Sequence, residues 1–337
     1  MLSKEVISIG GILTEVLCND DLANTAWSPG LPMAAAKEAE EEETLPPPRD
    51  ENDRFDVDDY EDDDDGILTL VLLPGNPGVI DFYVDFLEAL HQHCDGRFPI
   101  YGVSHAGHSS SGDLNNGAVY SLQEQIQHKI HFLDGLRGKR RLVLMGHSLG
   151  AYICLQVAKR RPDFRVEQVL SLFPAIHDLY QGLPPPIKLF MRPGFRQLIG
   201  WLLHYIPLSI KRRLLAWKPN FSSSIQALVS DKLLRYHVIQ NILYLAYRES
   251  HEITQLDEGL LSHPDHPFPP TLHFLYGRND RYTPHPAYHN MKQLMSEDYV
   301  HMAEEGIEHA FVLEHSEQVA AKVAELLRHV LSRKSSS

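Results

Sequence analysis

Ser148 lies between two glycines in Gly146-His147-Ser148-Leu149-Gly150, and the chemistry open to a serine in that setting is nucleophilic attack on an acyl carbon. The five residues directly follow the apolar run Arg141-Leu142-Val143-Leu144-Met145 and open onto a helix-forming stretch. A strand, a sharp turn and a helix in immediate succession lift the hydroxyl above a sheet, beside a helix N-terminus that favours negative charge. Glycines on both sides leave room for the backbone that such a turn brings close. Without that context the same spacing arises by chance and marks only an ordinary strand-to-helix turn.

A serine hydroxyl is a poor nucleophile near neutral pH, so the arrangement requires a base and a group that orients the base. On a sheet of this kind the three follow the order serine, acid, histidine. Asp280 lies just beyond the run Leu272-His273-Phe274-Leu275-Tyr276-Gly277, at the carboxyl end where open α/β sheets place ligand-handling residues, and is the expected acid. The alternative is that Asp280 only shapes a turn with Gly277, Asn279 and Pro284, while Asp257 or Asp265 supplies the carboxylate. With 20 histidines, presence means nothing and position must choose. His309, in Ile307-Glu308-His309-Ala310-Phe311 after the last predicted strand, is the expected general base; the alternative is a surface-loop histidine. His147 belongs to the turn itself and is read as a packing or hydrogen-bonding residue. Two backbone N–H groups are expected to hold the oxyanion: Leu149, after the nucleophile, and Asn76 in Pro74-Gly75-Asn76-Pro77-Gly78.

These residues need a scaffold, and the chain supplies its pattern. After Gly66 the run Ile-Leu-Thr-Leu-Val-Leu-Leu is apolar throughout, as a strand buried on both faces must be. Helix and strand then alternate: a helix over 82–93, a strand over 97–104, a helix over 120–136 with Ser121 and Glu124 at capping-box spacing, a strand over 141–146, a helix over 149–161 stopped before Pro162, and a buried strand through 168–176. Such alternation predicts a mostly parallel, doubly wound α/β sheet of the α/β-hydrolase fold. It lapses between 178 and 270, where apolar helical stretches and prolines predict a helical cap or lid, then resumes through 271–276, a short strand over 299–302 and a closing helix over 315–332. The division expected is a hairpin at 1–21 around Gly10-Gly11, a disordered acidic insertion at 22–66, the core at 67–177 and 271–337, and the cap at 178–270.

The net charge of −14 is local. Residues 38–65 hold 16 acidic residues against two arginines, which leaves 29 acidic and 29 basic residues elsewhere. An acidic surface seeking a basic partner is therefore not implied, and the segment reads as a solvated spacer. Cys18, Cys94 and Cys154 are widely spaced, with no CxxC pattern, which points to no disulfide framework, no metal site and a reducing compartment. A serine mechanism needs no cofactor. The first residues lack the continuous apolar core of a secretory signal, so the protein is not expected to be secreted, and no run of 18 apolar residues predicts a simple membrane span.

Between Leu179 and Ser230 there is no acidic residue, while Lys188, Arg192, Arg196, Lys211, Arg212, Arg213 and Lys218 alternate with Phe190, Phe195, Trp201, Tyr205 and Trp217. Aromatic rings at headgroup depth and cations facing anionic lipid make 184–218 the expected lipid-interacting segment, lying in an interface or inserting as a hairpin bent at Pro207. The competing reading is a lid helix packing its apolar face on the active site. Nucleic acid is not expected, because bulky aliphatic residues accompany the charges and no binding motif occurs.

Taken with Phe82-Tyr83 after the Pro74 loop, Ser104-His105-Ala106-Gly107-His108, the Ser148 turn, the Asp280 loop and Glu308-His309-Ala310-Phe311, the chain from residue 67 onward resembles the lipid droplet-associated hydrolases. The acidic segment departs from that family. The resemblance implies a serine lipid hydrolase at the lipid droplet monolayer and the cytosolic face of the endoplasmic reticulum, with neutral lipid as substrate, sterol esters as a proposed class and weak activity. Two rivals stand beside it: a structural or regulatory droplet protein with little turnover, and a thioesterase or small-ester esterase, because a triad does not choose its leaving group. Dehalogenase chemistry would require a carboxylate where Ser148 stands.

Overall fold

In the strand Ile67–Leu73, Leu68, Leu70 and Leu72 turn to one face of a sheet and Val71 and Leu73 to the other, every one of them buried. The strand Arg140–His147 does the same, with Leu142 and Leu144 opposite Val143 and Met145. The alternation is the two-residue period of a strand with apolar layers on both sides. Truncating one such leucine to alanine costs about 2–5 kcal/mol.

This computed structural model describes residues 2–19, 66–136, 140–177, 185–216, 222–262, 269–280, 282, 285–328 and 330. Its strands are β1 (Ser3–Ile9), β2 (Ile12–Cys18), β3 (Ile67–Leu73), β4 (Ile100–Val103), β5 (Arg140–His147), β6 (Val166–Leu172), β7 (Thr271–Tyr276) and β8 (Val300–Met302). They form one sheet in the order β1-β2-β4-β3-β5-β6-β7-β8. The pairs from β4 to β8 are parallel; the β1–β2 hairpin adds antiparallel to β4 at one edge. Gly10 and Gly11 turn that hairpin with φ of 55° and 84°, the conformation its two-residue loop demands.

Helices α1 (Val84–His93), α2 (Leu122–Gly135) and α3 (Leu149–Arg160) follow β3, β4 and β5, and α10 (Ser316–Leu326) closes the chain. Helices α1 and α10 pack on one face, α2 and α3 on the other. Ser121 and Glu124 form the expected capping box: the Ser121 hydroxyl accepts from the Glu124 N–H, and the Glu124 carboxylate from the Ser121 N–H at 2.8 Å. Several boundaries moved: the strand expected through 168–176 is Val166–Leu172, and the closing helix expected over 315–332 runs Ser316–Leu326. The helix expected from 82 begins as a 3-10 turn at Ile80–Tyr83, and the strand expected from 97 starts at Ile100, because Pro99 has no N–H to give the ladder and contributes only its carbonyl, to Leu70.

Between β6 and β7 come α4 (Pro185–Phe190), α5 (Phe195–Tyr205), α6 (Leu208–Leu215), α7 (Ser223–Ala227), a π-helical turn at Leu228–Leu233 and α8 (Tyr236–Glu252); α9 (His285–Leu294) follows β7. Pro207 separates α5 from α6. Gly200 lets α5 approach α8, where an added Cβ would lie 2.4 Å from the Gln240 amide. The spacer expected at 22–66 lies outside the described residues except for Gly66, which is buried against Arg141 at the start of β3 rather than solvated. Trp217, Lys218 and Asp265 also lie outside them.

Candidate active site

The turn after β5 has no alternative to its glycines. A Cβ on Gly146 would lie 2.3 Å from the Gly150 carbonyl carbon, and one on Gly150 would lie 2.1 Å from the Leu73 carbonyl oxygen. Between them Ser148 adopts φ 52° and ψ −117°, a strained conformation for a residue with a side chain, held by Ser148 N–H to Leu172 O at 2.9 Å. The strain turns its hydroxyl out of the sheet at the N-terminus of α3.

His309 comes from the loop after β8 and Asp280 from the end of β7, the two sequence-predicted positions. Ser148 Oγ donates to His309 Nε2 at 2.9 Å, and His309 Nδ1 donates to Asp280 Oδ2 at 2.6 Å. Asp280 Oδ1 accepts from the Tyr282 N–H at 2.8 Å, so a fully buried carboxylate has both oxygens engaged. Asp257 is elsewhere: it is exposed, caps a 3-10 turn and pairs with Lys159. The arrangement can move a proton from serine to histidine while the carboxylate fixes the ring's orientation.

His147 does more than pack. Its Nδ1 accepts from the Tyr83 hydroxyl at 2.6 Å, that hydroxyl accepts from the Gly75 N–H at 2.9 Å, and His147 Nε2 donates to the His309 carbonyl at 3.0 Å. One chain of hydrogen bonds thus ties the loop carrying Asn76, the serine turn and the histidine loop. Burial pushes Tyr83 upward and holds His147 down at about 3, so both stay neutral. The sequence carried one hint of this link, Phe82-Tyr83 after the Pro74 loop.

The segment from Ser104 to His108 buttresses the same loop from behind. Ser104 Oγ accepts from the Ile80 N–H at 3.2 Å, the His105 N–H donates to Gly78 O at 2.9 Å, and the Gly78 N–H donates to His108 Nδ1 at 2.9 Å. Gly78 must be glycine, since its Cβ would fall 2.3 Å from the His105 ring. Asn76 is anchored by its side chain, whose Nδ2 donates to Ile242 O at 3.0 Å and to Glu249 Oε1 at 3.4 Å. Neither the Asn76 nor the Leu149 backbone N–H is engaged by another described residue.

Ser148, His309 and Asn76 open on a cavity of about 460 Å³, within the usual range for a small-molecule site. Its far wall is largely apolar and helical: Ile187 of α4, Val229 and Leu233 of the π-helical turn, and Ile242, Leu243 and Ala246 of α8. Glu249 of α8 also reaches the cavity, a position that periodicity alone did not single out. Among the described residues no group of three or more His, Cys, Asp or Glu could hold a metal ion, and the three cysteines are buried and form no disulfide.

A serine at a strained strand-to-helix turn, a histidine and a buried acid at successive strand ends, and a parallel sheet beneath a helical excursion define an α/β hydrolase. Epoxide hydrolase A from Mycobacterium thermoresistibile shares this fold, with a TM-score of 0.58 at 14% identity over 97% of this chain and 98% of that one. Residues 67–312 match the family described as Lipid-droplet associated hydrolase. A lipid droplet-associated hydrolase of Dictyostelium discoideum is 37% identical over 272 residues, 77% of this chain and 87% of the relative. The rat relative of that name is 32% identical over 291 residues, 79% of this chain and 86% of its own length. The chain therefore belongs to the lipid droplet-associated hydrolase family, as the resemblance implied.

Proposed function

We propose that this chain is a serine hydrolase of lipid esters acting at a lipid surface. Ser148 Oγ attacks the ester carbonyl while His309 Nε2 takes its proton, Asp280 orients the imidazole, and the N–H groups of Asn76 and Leu149 hold the oxyanion. Collapse of the tetrahedral intermediate expels the alcohol, which takes the proton from His309. Water then repeats the sequence and releases the acid and free Ser148. The observation that carries this reading is the Ser148–His309–Asp280 hydrogen-bond chain opening on an apolar cavity.

The lipid setting rests on the outer surface of the cap as well as on the family. In α5, Ile199 and Leu203 pack inward, yet Leu198, Trp201, Leu202 and Tyr205 are exposed, as are Leu208, Ile210 and Leu214 of α6. Helices that carry large apolar side chains on the outer as well as the inner face favour an apolar environment on the outer one. The cations contribute less than their number suggests: Arg212 pairs with Asp231, Lys211 donates to Leu234 O, and Arg196 binds Gln240, leaving Arg192 and Arg213 exposed and without an ion pair among the described residues. No described helix is long and apolar enough to cross a membrane, so we assign 184–218 to the interface. Droplet monolayer and the cytosolic face of the endoplasmic reticulum are the proposed surfaces, and sterol esters the first substrates to test.

The same exposed stripe favours a second reading, a droplet protein whose role is structural with little turnover. Hydrolysis of sterol esters, triacylglycerols and short esters by wild type and Ser148→Ala decides between them. Serine-dependent turnover of a long-chain ester supports the first; rescue of a droplet phenotype by Ser148→Ala, with no serine-dependent turnover, supports the second.

A further inference from the structure

Helix α8 faces the cavity with Ile242, Ala246 and Glu249, at i, i+4 and i+7. The last position interrupts an apolar stripe with a carboxyl group, and Glu249 is the only acid among the described residues lining the cavity. Among the described residues no cation meets it, and its one hydrogen bond is the long contact from Asn76 Nδ2, whose stronger anchor is Ile242 O at 3.0 Å. Arg248, next on the helix, pairs with Glu252 instead. Glu249 is half-buried on an apolar wall with no charged partner among the described residues, and desolvation pushes its carboxyl up to about 8.

A carboxylic acid that keeps its proton offers one O–H donor and one carbonyl acceptor, the complement of a hydroxyl group, which also donates once and accepts. We propose that Glu249 is a specificity-determining residue that recognises a free hydroxyl on the substrate close to the scissile ester, so that the preferred substrates are hydroxyl-bearing lipid esters rather than fully esterified neutral lipids. The hydroxyl can belong to the alcohol side, as in a partial ester of a polyol, or to the acyl side, as in a hydroxy fatty acyl ester. The inference rests on the serine-hydrolase reading and, within it, sets hydroxyl-bearing esters ahead of the sterol esters. A site built around a polar group rejects the analogue that lacks its partner, because the buried group is then left unpaired.

The groups sharing the cavity wall with Glu249 are Tyr83 and His147, both held neutral, and His309 and Tyr282 across from α8; on its own helix His251 binds the Tyr247 carbonyl. Loss of the His309 proton-transfer cycle affects all esters alike. Ionisation of Glu249 affects only those whose hydroxyl it holds, so the ratio of two substrates reports Glu249 separately.

The test measures kcat/KM in detergent micelles for two matched pairs: monooleoylglycerol against propyl oleate, and ethyl 3-hydroxypalmitate against ethyl palmitate. Wild type is expected to favour the hydroxyl-bearing member of one pair by about tenfold or more at pH 7, and which pair shows it locates the hydroxyl. Glu249→Leu, an apolar residue on an apolar stripe, should bring that ratio to about unity. Glu249→Gln should retain part of it and remove its decline above pH 8. Ratios near unity in wild type, or a ratio unchanged in Glu249→Leu, overturn the proposal; so does an equal fall on both members of each pair, which is what loss of support to Asn76 would give. Fluorophosphonate labelling of Ser148 in the same preparations distinguishes this from failure of the hydrolase reading itself, in which wild type neither labels nor turns over any of the four esters.

Discussion

Removing one oxygen atom, in Tyr83→Phe, should damage both stability and turnover. The Tyr83 hydroxyl accepts from the Gly75 N–H at 2.9 Å and donates to His147 Nδ1 at 2.6 Å, in a fully buried setting. Phenylalanine fills the same space but leaves a buried donor and a buried acceptor unpaired, each at a cost of about 1–3 kcal/mol. The two share one network and are not fully additive, so the expected loss is about 2–4 kcal/mol. At roughly 2 °C per kcal/mol for a chain of this size, the melting temperature should fall by about 4–8 °C. The same link positions the Asn76 loop, the Ser148 turn and the carbonyl of His309, and misplacing catalytic groups by about 1 Å costs about 100-fold. We therefore expect kcat on a short soluble ester to drop by about 10–100-fold with little change in KM, while circular dichroism at 25 °C stays native. Calorimetry and steady-state kinetics on one preparation check both numbers. An unchanged melting temperature would refute the network; a lowered one with unchanged kcat would refute its coupling to the site.

Asp280→Asn should preserve the fold and lower kcat by about 10⁴-fold, since an amide cannot hold the imidazole in the required tautomer; a loss under tenfold, seen by steady-state kinetics, would place the orienting carboxylate elsewhere. Replacing Leu198, Trp201 and Leu202 together by serine should weaken flotation with phospholipid-coated oil droplets while leaving the melting temperature within about 2 °C, because these side chains face outward. Stability should fall below neutral pH. Burial holds His147 and His108 down at about 3, below the ordinary value of 6.5, so the unfolded chain binds more protons between those limits and stability present above pH 6.5 is lost as pH falls toward 3. Each accounts for about 2–3 kcal/mol of that loss by pH 4.5, and urea unfolding of His147→Gln should show a shallower slope across that window.

The parts of this protein written in contiguous residues were legible before the structure. β3 and β5 announce themselves because a strand buried on both faces must be apolar throughout, and Ser148, Asp280 and His309 could be chosen because each follows a recognisable strand end. What could not be read depends on contacts between distant segments. Tyr83 meets His147 across 64 positions and Glu249 meets Asn76 across 173, and no local period reports either. The basic residues of 184–218 suggested a surface for anionic lipid, yet Arg212 is taken by Asp231 and Lys211 by Leu234 O once α6 lies against the π-helical turn. The apolar residues of the same stretch are exposed, and nothing among the described residues covers their outer side.

Treatment with a fluorophosphonate probe followed by peptide mass spectrometry tests the central claim most directly. The account predicts a covalent adduct on the peptide containing Ser148, absent in Ser148→Ala and strongly slowed in His309→Ala; a folded wild-type protein that forms no adduct, or an adduct that persists in Ser148→Ala, would contradict it.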